Sequence, residues 1–132
     1  MKPVRQEHSY GCGVACLAFV LCTDYETVLD MFEKGKYKAE NIGFFCKELT
    51  SLLNSRNLKY EWKYVKPRIR KRIYSPNVIV FIKRSKKYPV GHYLARCEDK
   101  WMDPWINFPS LNIKAGFRKR LSGTAIYAII PG

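Results

Sequence analysis

From Cys12 to Leu21 nearly every residue is apolar, with Gly13 the interruption. A helix without a polar face is buried on most sides, so the remaining chain has to wrap around this one. The chain has 132 residues, which fits one domain over residues 1–132 and is too short for two full-sized cores. Hydrophobic residues make up 47% of it, enough for a packed core and too many for disorder over most of its length. The longest apolar stretch, Val14 to Cys22, falls well short of the roughly 18–20 residues of a membrane helix. Met1 to His8 is polar and no secretory cleavage pattern follows it. Five cysteines, Cys12, Cys16, Cys22, Cys46 and Cys97, are an odd set without the spacing of a disulfide framework. Both features fit a reducing compartment, and a cytoplasmic protein is expected.

After the first helix, Thr23 with Glu26 three residues on reads as a capping box. It opens a helix through about Phe32 that turns Val28, Leu29, Met31 and Phe32 inward. Asn41 reads as the cap of a further helix, along which Ile42, Phe45, Leu49, Leu52 and Leu53 draw one apolar stripe ending near Asn57. The character then changes. Tyr60, Trp62 and Tyr64 alternate with charges, and Asn77 to Ile82, His92 to Cys97 and Ala125 to Ile130 are short β-prone runs. Turn chemistry separates them at Tyr88 to Gly91, Glu98 to Lys100, Asp103-Pro104 and Leu121 to Gly123. Helices followed by strands with short connections predict an α+β fold with an antiparallel sheet.

Cys12 stands between two glycines at the start of the first helix, where unpaired N–H groups favour a thiolate nucleophile. Gln6, six positions earlier, has an amide that can donate to an oxyanion. His92 opens a strand and suits a general base and acid. Asp103 lies 11 residues later across the turn at Glu98 to Lys100. A strand–turn–strand over that distance returns its carboxylate beside His92, where it can fix the imidazole tautomer. Each residue alone has a plainer reading. Cys16, Cys22, Cys46 and Cys97 read as small buried hydrophobes, Asp103 before Pro104 as a turn opener, and His8 as a solvated residue near the site. Cys12-x3-Cys16-x5-Cys22 lacks the paired short spacing of a zinc site, so no metal and no cofactor is expected.

Together these residues are more specific. Gln6 to Leu17, followed by Gly91-His92-Tyr93-Leu94 and Trp101-Met102-Asp103-Pro104-Trp105, resembles the C39 family of papain-like cysteine peptidases. These are the bacteriocin-processing, double-glycine leader peptidases and their relatives. The likeness runs nearly the whole length, with Asn41 to Tyr64 similar to the family's middle helix and following strand, and Leu121 onward to its closing strand. It implies a papain-like fold in which Cys12 is nucleophile, His92 base and acid, Asp103 the orienter and Gln6 the oxyanion donor. It also implies cleavage after small residues of the Gly-Gly type. Family members commonly carry an acidic residue just before the nucleophile, where this chain has Gly11. Many are fused to ABC exporters, whereas this sequence holds neither a transmembrane segment nor a P-loop. An exporter or the inner membrane surface is an expected partner beside the peptide or protein substrate.

The formal net charge is +13. Twelve of the 24 Lys and Arg lie in three clusters: Lys66, Arg68, Arg70, Lys71 and Arg72; Lys83, Arg84, Lys86 and Lys87; and Arg118, Lys119 and Arg120. Such clusters suit nucleic acid, an anionic bilayer or an acidic peptide, or simply a solvated surface. Tyr60, Trp62, Tyr64 and Tyr74 interleave with them and read as core rings more simply than as stacking platforms. An acidic or membrane-adjacent substrate is the favoured use of the charge. The competing functions are a silent C39-like peptide-binding module, a basic nucleic-acid-binding protein, and deamidation or amide transfer by the same nucleophile.

Overall fold

A computed structural model describes residues 2–132. The first part is helical: α1 (Cys12–Val20), α2 (Tyr25–Leu29), α3 (Gly35–Asn41) and α4 (Cys46–Ser55). Strand β1 (Tyr60–Tyr64) and a 3-10 helix (Pro67–Tyr74) follow. Then come β2 (Ile79–Ile82), β3 (His92–Cys97), β4 (Lys100–Asp103), β5 (Gly116–Arg118) and β6 (Ala125–Pro131). The six strands form one antiparallel sheet in the order β1-β6-β2-β3-β4-β5. The α+β arrangement is the one the element order predicts.

As its composition requires, α1 is covered all round, with Val14 to Ala18 inaccessible to solvent. It packs on β3, α2 and α4, and Leu49, Leu53, Ile79, Tyr93, Ala95, Met102 and Ile129 belong to the core around it. The opposite face of the sheet has a second core of Val80, Ile82, Leu94, Trp101, Ala128 and Ile130, covered by Ile73 and Ile69 of the 3-10 helix and by Tyr88. Strand alternation explains the division, since Tyr93 and Ala95 face α1 while Leu94 faces away.

Several local expectations are corrected. The cap of α2 is Asp24, not Thr23: the Asp24 carboxylate accepts the Thr27 N–H at 2.8 Å, while the Thr23 N–H bonds back to Ala18 O. Asn41 closes α3 instead of opening α4, and α4 starts at Cys46 with the Glu48 carboxylate accepting the Phe45 N–H at 2.9 Å. The apolar stripe therefore begins later than expected, at Cys46, and Phe45 is 71% exposed. Of the rings of β1, Tyr60 is half-buried against the core around α1, whereas Trp62 is 39% and Tyr64 57% exposed; both of these lie against Tyr127 of β6, Trp62 edgewise and Tyr64 tilted. Tyr74 is likewise half exposed. Cys22 is exposed and Cys97 partly so, whereas Cys16 and Cys46 are buried as expected.

Candidate active site

Cys12 is the first residue of α1, His92 the first of β3, and Asp103 the last of β4. Because α1 packs along β3, the start of the helix meets the start of the strand. The β3–β4 ladder pairs Ala95 with Met102, and one step further along it Asp103 stands diagonal to His92. The Asp103 carboxylate accepts from His92 Nε2 at 2.7 Å, and its Oδ1 also accepts the Trp105 N–H at 3.0 Å. With Nε2 committed to Asp103, Nδ1 is the nitrogen left for Cys12, which lines the same cleft.

Burial disfavours a charged imidazole, but the hydrogen bonds and charges of Asp103 and Cys12 outweigh it and push His92 from 6.5 to about 10. Burial likewise opposes ionisation of Asp103, yet the His92, Trp105 and Arg118 hydrogen bonds hold its carboxyl below the ordinary value. Both shifts favour the pair as imidazolium facing carboxylate. Tyr88 stacks on the His92 ring, centroid to centroid 4.6 Å and 6° from parallel, and its hydroxyl donates to Ser122 Oγ at 2.8 Å. The imidazole is thereby held in plane by Tyr88 and in tautomer by Asp103.

Gln6 lies beside Cys12 in the wall of the same cleft and is 1% exposed. Its Nε2 donates to His8 O at 2.9 Å and Ser9 O at 3.2 Å, while its Oε1 has no partner among the described residues. His8, read from sequence as solvated, is instead half-buried and bonded through Nδ1 to the Tyr25 hydroxyl at 3.0 Å. That hydroxyl occupies the space beside Gly11, since a Cβ on Gly11 would lie 2.0 Å from it.

The cleft has a volume of about 750 Å³ and runs from Cys12 and His92 between the helical wall at Ile42 to Lys47 and the sheet wall at Trp62, Phe81 and Tyr127. Lys47, Lys83 and Arg84 line it, and among the described residues no carboxylate does. Sequence reasoning missed Arg118, which bonds Asp103, and Tyr88; neither stands in a motif that points to the site. No three His, Cys, Asp or Glu side chains among the described residues are grouped to hold a metal ion. No described helix is long and apolar enough to cross a membrane.

Helices packed on one face of an antiparallel sheet, with a cysteine at a helix start and a histidine at a strand start, are the papain-like arrangement. The chain has the C39-like form of that fold. It superposes on the peptidase domain of Streptococcus ComA, a bifunctional ABC transporter involved in a quorum-sensing pathway, with a TM-score of 0.58 over 99% of this chain and 98% of that one. The two are 14% identical. No protein-family model matches the chain, and no curated protein matches it by sequence.

Proposed function

We propose that residues 1–132 form one cysteine peptidase unit that cleaves peptide bonds with Cys12, His92 and Asp103. The observation that carries this reading is the buried His92–Asp103 pair, 2.7 Å apart, in the same peptide-sized cleft as Cys12, with the second imidazole nitrogen left free of Asp103. The Cys12 sulfur attacks the carbonyl carbon of the scissile bond. The oxyanion is held by the Cys12 N–H at the helix start and by Gln6, whose Nε2 exchanges its longer bond, to Ser9 O, for the substrate. His92 passes its proton to the leaving nitrogen as the C–N bond breaks, then takes one from the water that releases the acyl group.

Substrates are cut after small residues of the Gly-Gly type, as the likeness to C39 peptidases implies, and the cations of the cleft favour acidic peptides. The ComA neighbour is part of an ABC transporter, which supports an exporter or the inner membrane surface as the place of work. Incubation with a mixed peptide library, read by mass spectrometry, should give cuts following small residues that vanish in Cys12→Ala. Equal product from wild type and Cys12→Ala would overturn the peptidase reading, and cuts indifferent to the preceding residue would overturn the specificity.

A further inference from the structure

Arg118 belongs to a basic cluster that the charge pattern assigns to the surface, yet its Nη1 donates to Asp103 Oδ2 at 3.0 Å. In the β4–β5 ladder Arg118 pairs with Trp101, two residues from Asp103 and so on the same side of the sheet. Its Nε donates to Arg120 O at 3.0 Å, which fixes the guanidinium from its other edge. The Asp103 side chain is inaccessible to solvent, and the Arg118 side chain is 26% exposed. Of the two carboxylate oxygens, Oδ1 is taken by His92 and Trp105, and Oδ2 by Arg118.

A buried carboxylate with one titrating cation beside it loses its counterion whenever that cation gives up a proton. In the proposed reaction His92 does so at every turnover, when its proton moves to the leaving nitrogen and a neutral imidazole faces Asp103. We propose that Arg118 is a positioning residue that keeps Asp103 ionised and aimed at Nε2 while His92 is neutral. His92 then passes between its two protonation states without Asp103 taking up a proton or turning away. The proposal rests on the reading of Cys12, His92 and Asp103 as the catalytic set. A permanent positive charge here also tempers the pull of Asp103 on the His92 proton, so removing it makes His92 a weaker acid.

The chain has two histidines, so proton NMR titration follows His92 with His8 as internal control. In Cys12→Ala protein, His92 titrates against Asp103 without the Cys12 sulfur. Adding Arg118→Gln, which keeps an N–H donor but not the charge, should raise the His92 midpoint by about one pH unit. Arg118→Lys should leave it within about 0.3 unit, and His8 should not move in either. A second readout needs no change at Arg118: the carbon-13 carboxyl signal of Asp103 in Cys12→Ala should stay that of a carboxylate on both sides of the His92 titration. A His92 midpoint above 6.5 but identical with and without the Arg118 charge, or protonation of Asp103 as His92 becomes neutral, overturns the role of Arg118 alone. A His92 midpoint at 6.5 in Cys12→Ala itself means that Asp103 is not engaged, and overturns the catalytic set as well.

Discussion

At the scale of single residues the proposed site divides into groups assigned to the substrate and groups that hold them. Asp103 holds the tautomer of His92, and Asp103→Asn, which presents an N–H to the imidazole, should lower peptide hydrolysis by about 100-fold or more in a steady-state assay. Gln6→Ala should lower kcat by about 100-fold with little change in KM, because the proposed bond to the oxyanion is made only during reaction; a change confined to KM would assign Gln6 to substrate binding instead. Gly11 is forced by its neighbour: Gly11→Ala sets a Cβ 2.0 Å from the Tyr25 hydroxyl, and Tyr25→Phe removes the clashing atom. The single variant should lose about 2 kcal/mol in urea denaturation and the double variant should regain part of it; equal losses would show that the strain lies elsewhere. The pairing of His92 with Asp103 is legible because one tight hairpin joins them, and Cys12 stands out because it opens a helix; that Cys12 and the pair meet follows from the long-range packing of α1 on β3. Arg118 was not legible, because the irregular chain from Pro104 to Ala115 separates it from Asp103 and no periodicity spans such a stretch.

At the scale of elements, the strongest signals were long apolar or β-branched runs, and α1, β2, β3 and β6 stand where those runs lie. Caps were misplaced where neighbouring residues offered equivalent chemistry. Asp24 outcompetes Thr23 because its carboxylate reaches the Thr27 N–H while the Thr23 N–H is already drawn back to α1. α3, with Lys36, Lys38 and Glu40 but few apolar residues, and β5, three residues long, carry no periodic signature. The aromatic alternation of β1 predicts the strand, but only Tyr60 packs on the core, because alternation tells which residues share a face and not whether that face is covered along its length. The turn before β3 is held by Gly91, whose φ is +80° and whose missing Cβ leaves room for the Phe81 ring, 2.1 Å from where a Cβ would sit. Gly91→Ala should cost about 3 kcal/mol in urea denaturation and displace His92. An unchanged unfolding midpoint would contradict that account of the turn.

For the whole molecule, charge is segregated along the chain while the site draws on both parts. Residues 1–61 carry eight Lys and Arg against eight Asp and Glu, and residues 62–132 carry sixteen against three, so the entire +13 resides in the part that forms most of the sheet. The His92–Asp103 pair links that part to pH. Asp103 is depressed below 3.8, so its contribution to stability is present above about pH 4 and lost as the pH falls through its folded value. His92 is raised from 6.5 to about 10, so its contribution is complete below pH 6.5 and is lost as the pH climbs toward 10. The Tm gap between wild type and His92→Ala should therefore be widest between about pH 4 and 6.5 and should narrow toward pH 10; a constant gap would contradict the ion pair. The most direct test of the site is brief treatment with limiting iodoacetamide across pH 5 to 9, with alkylation at each of the five cysteines read by mass spectrometry. Cys12 should react first and lose that lead in His92→Ala. If Cys12 reacts no faster than exposed Cys22, or keeps its lead without His92, the activated pair on which the peptidase reading rests does not exist.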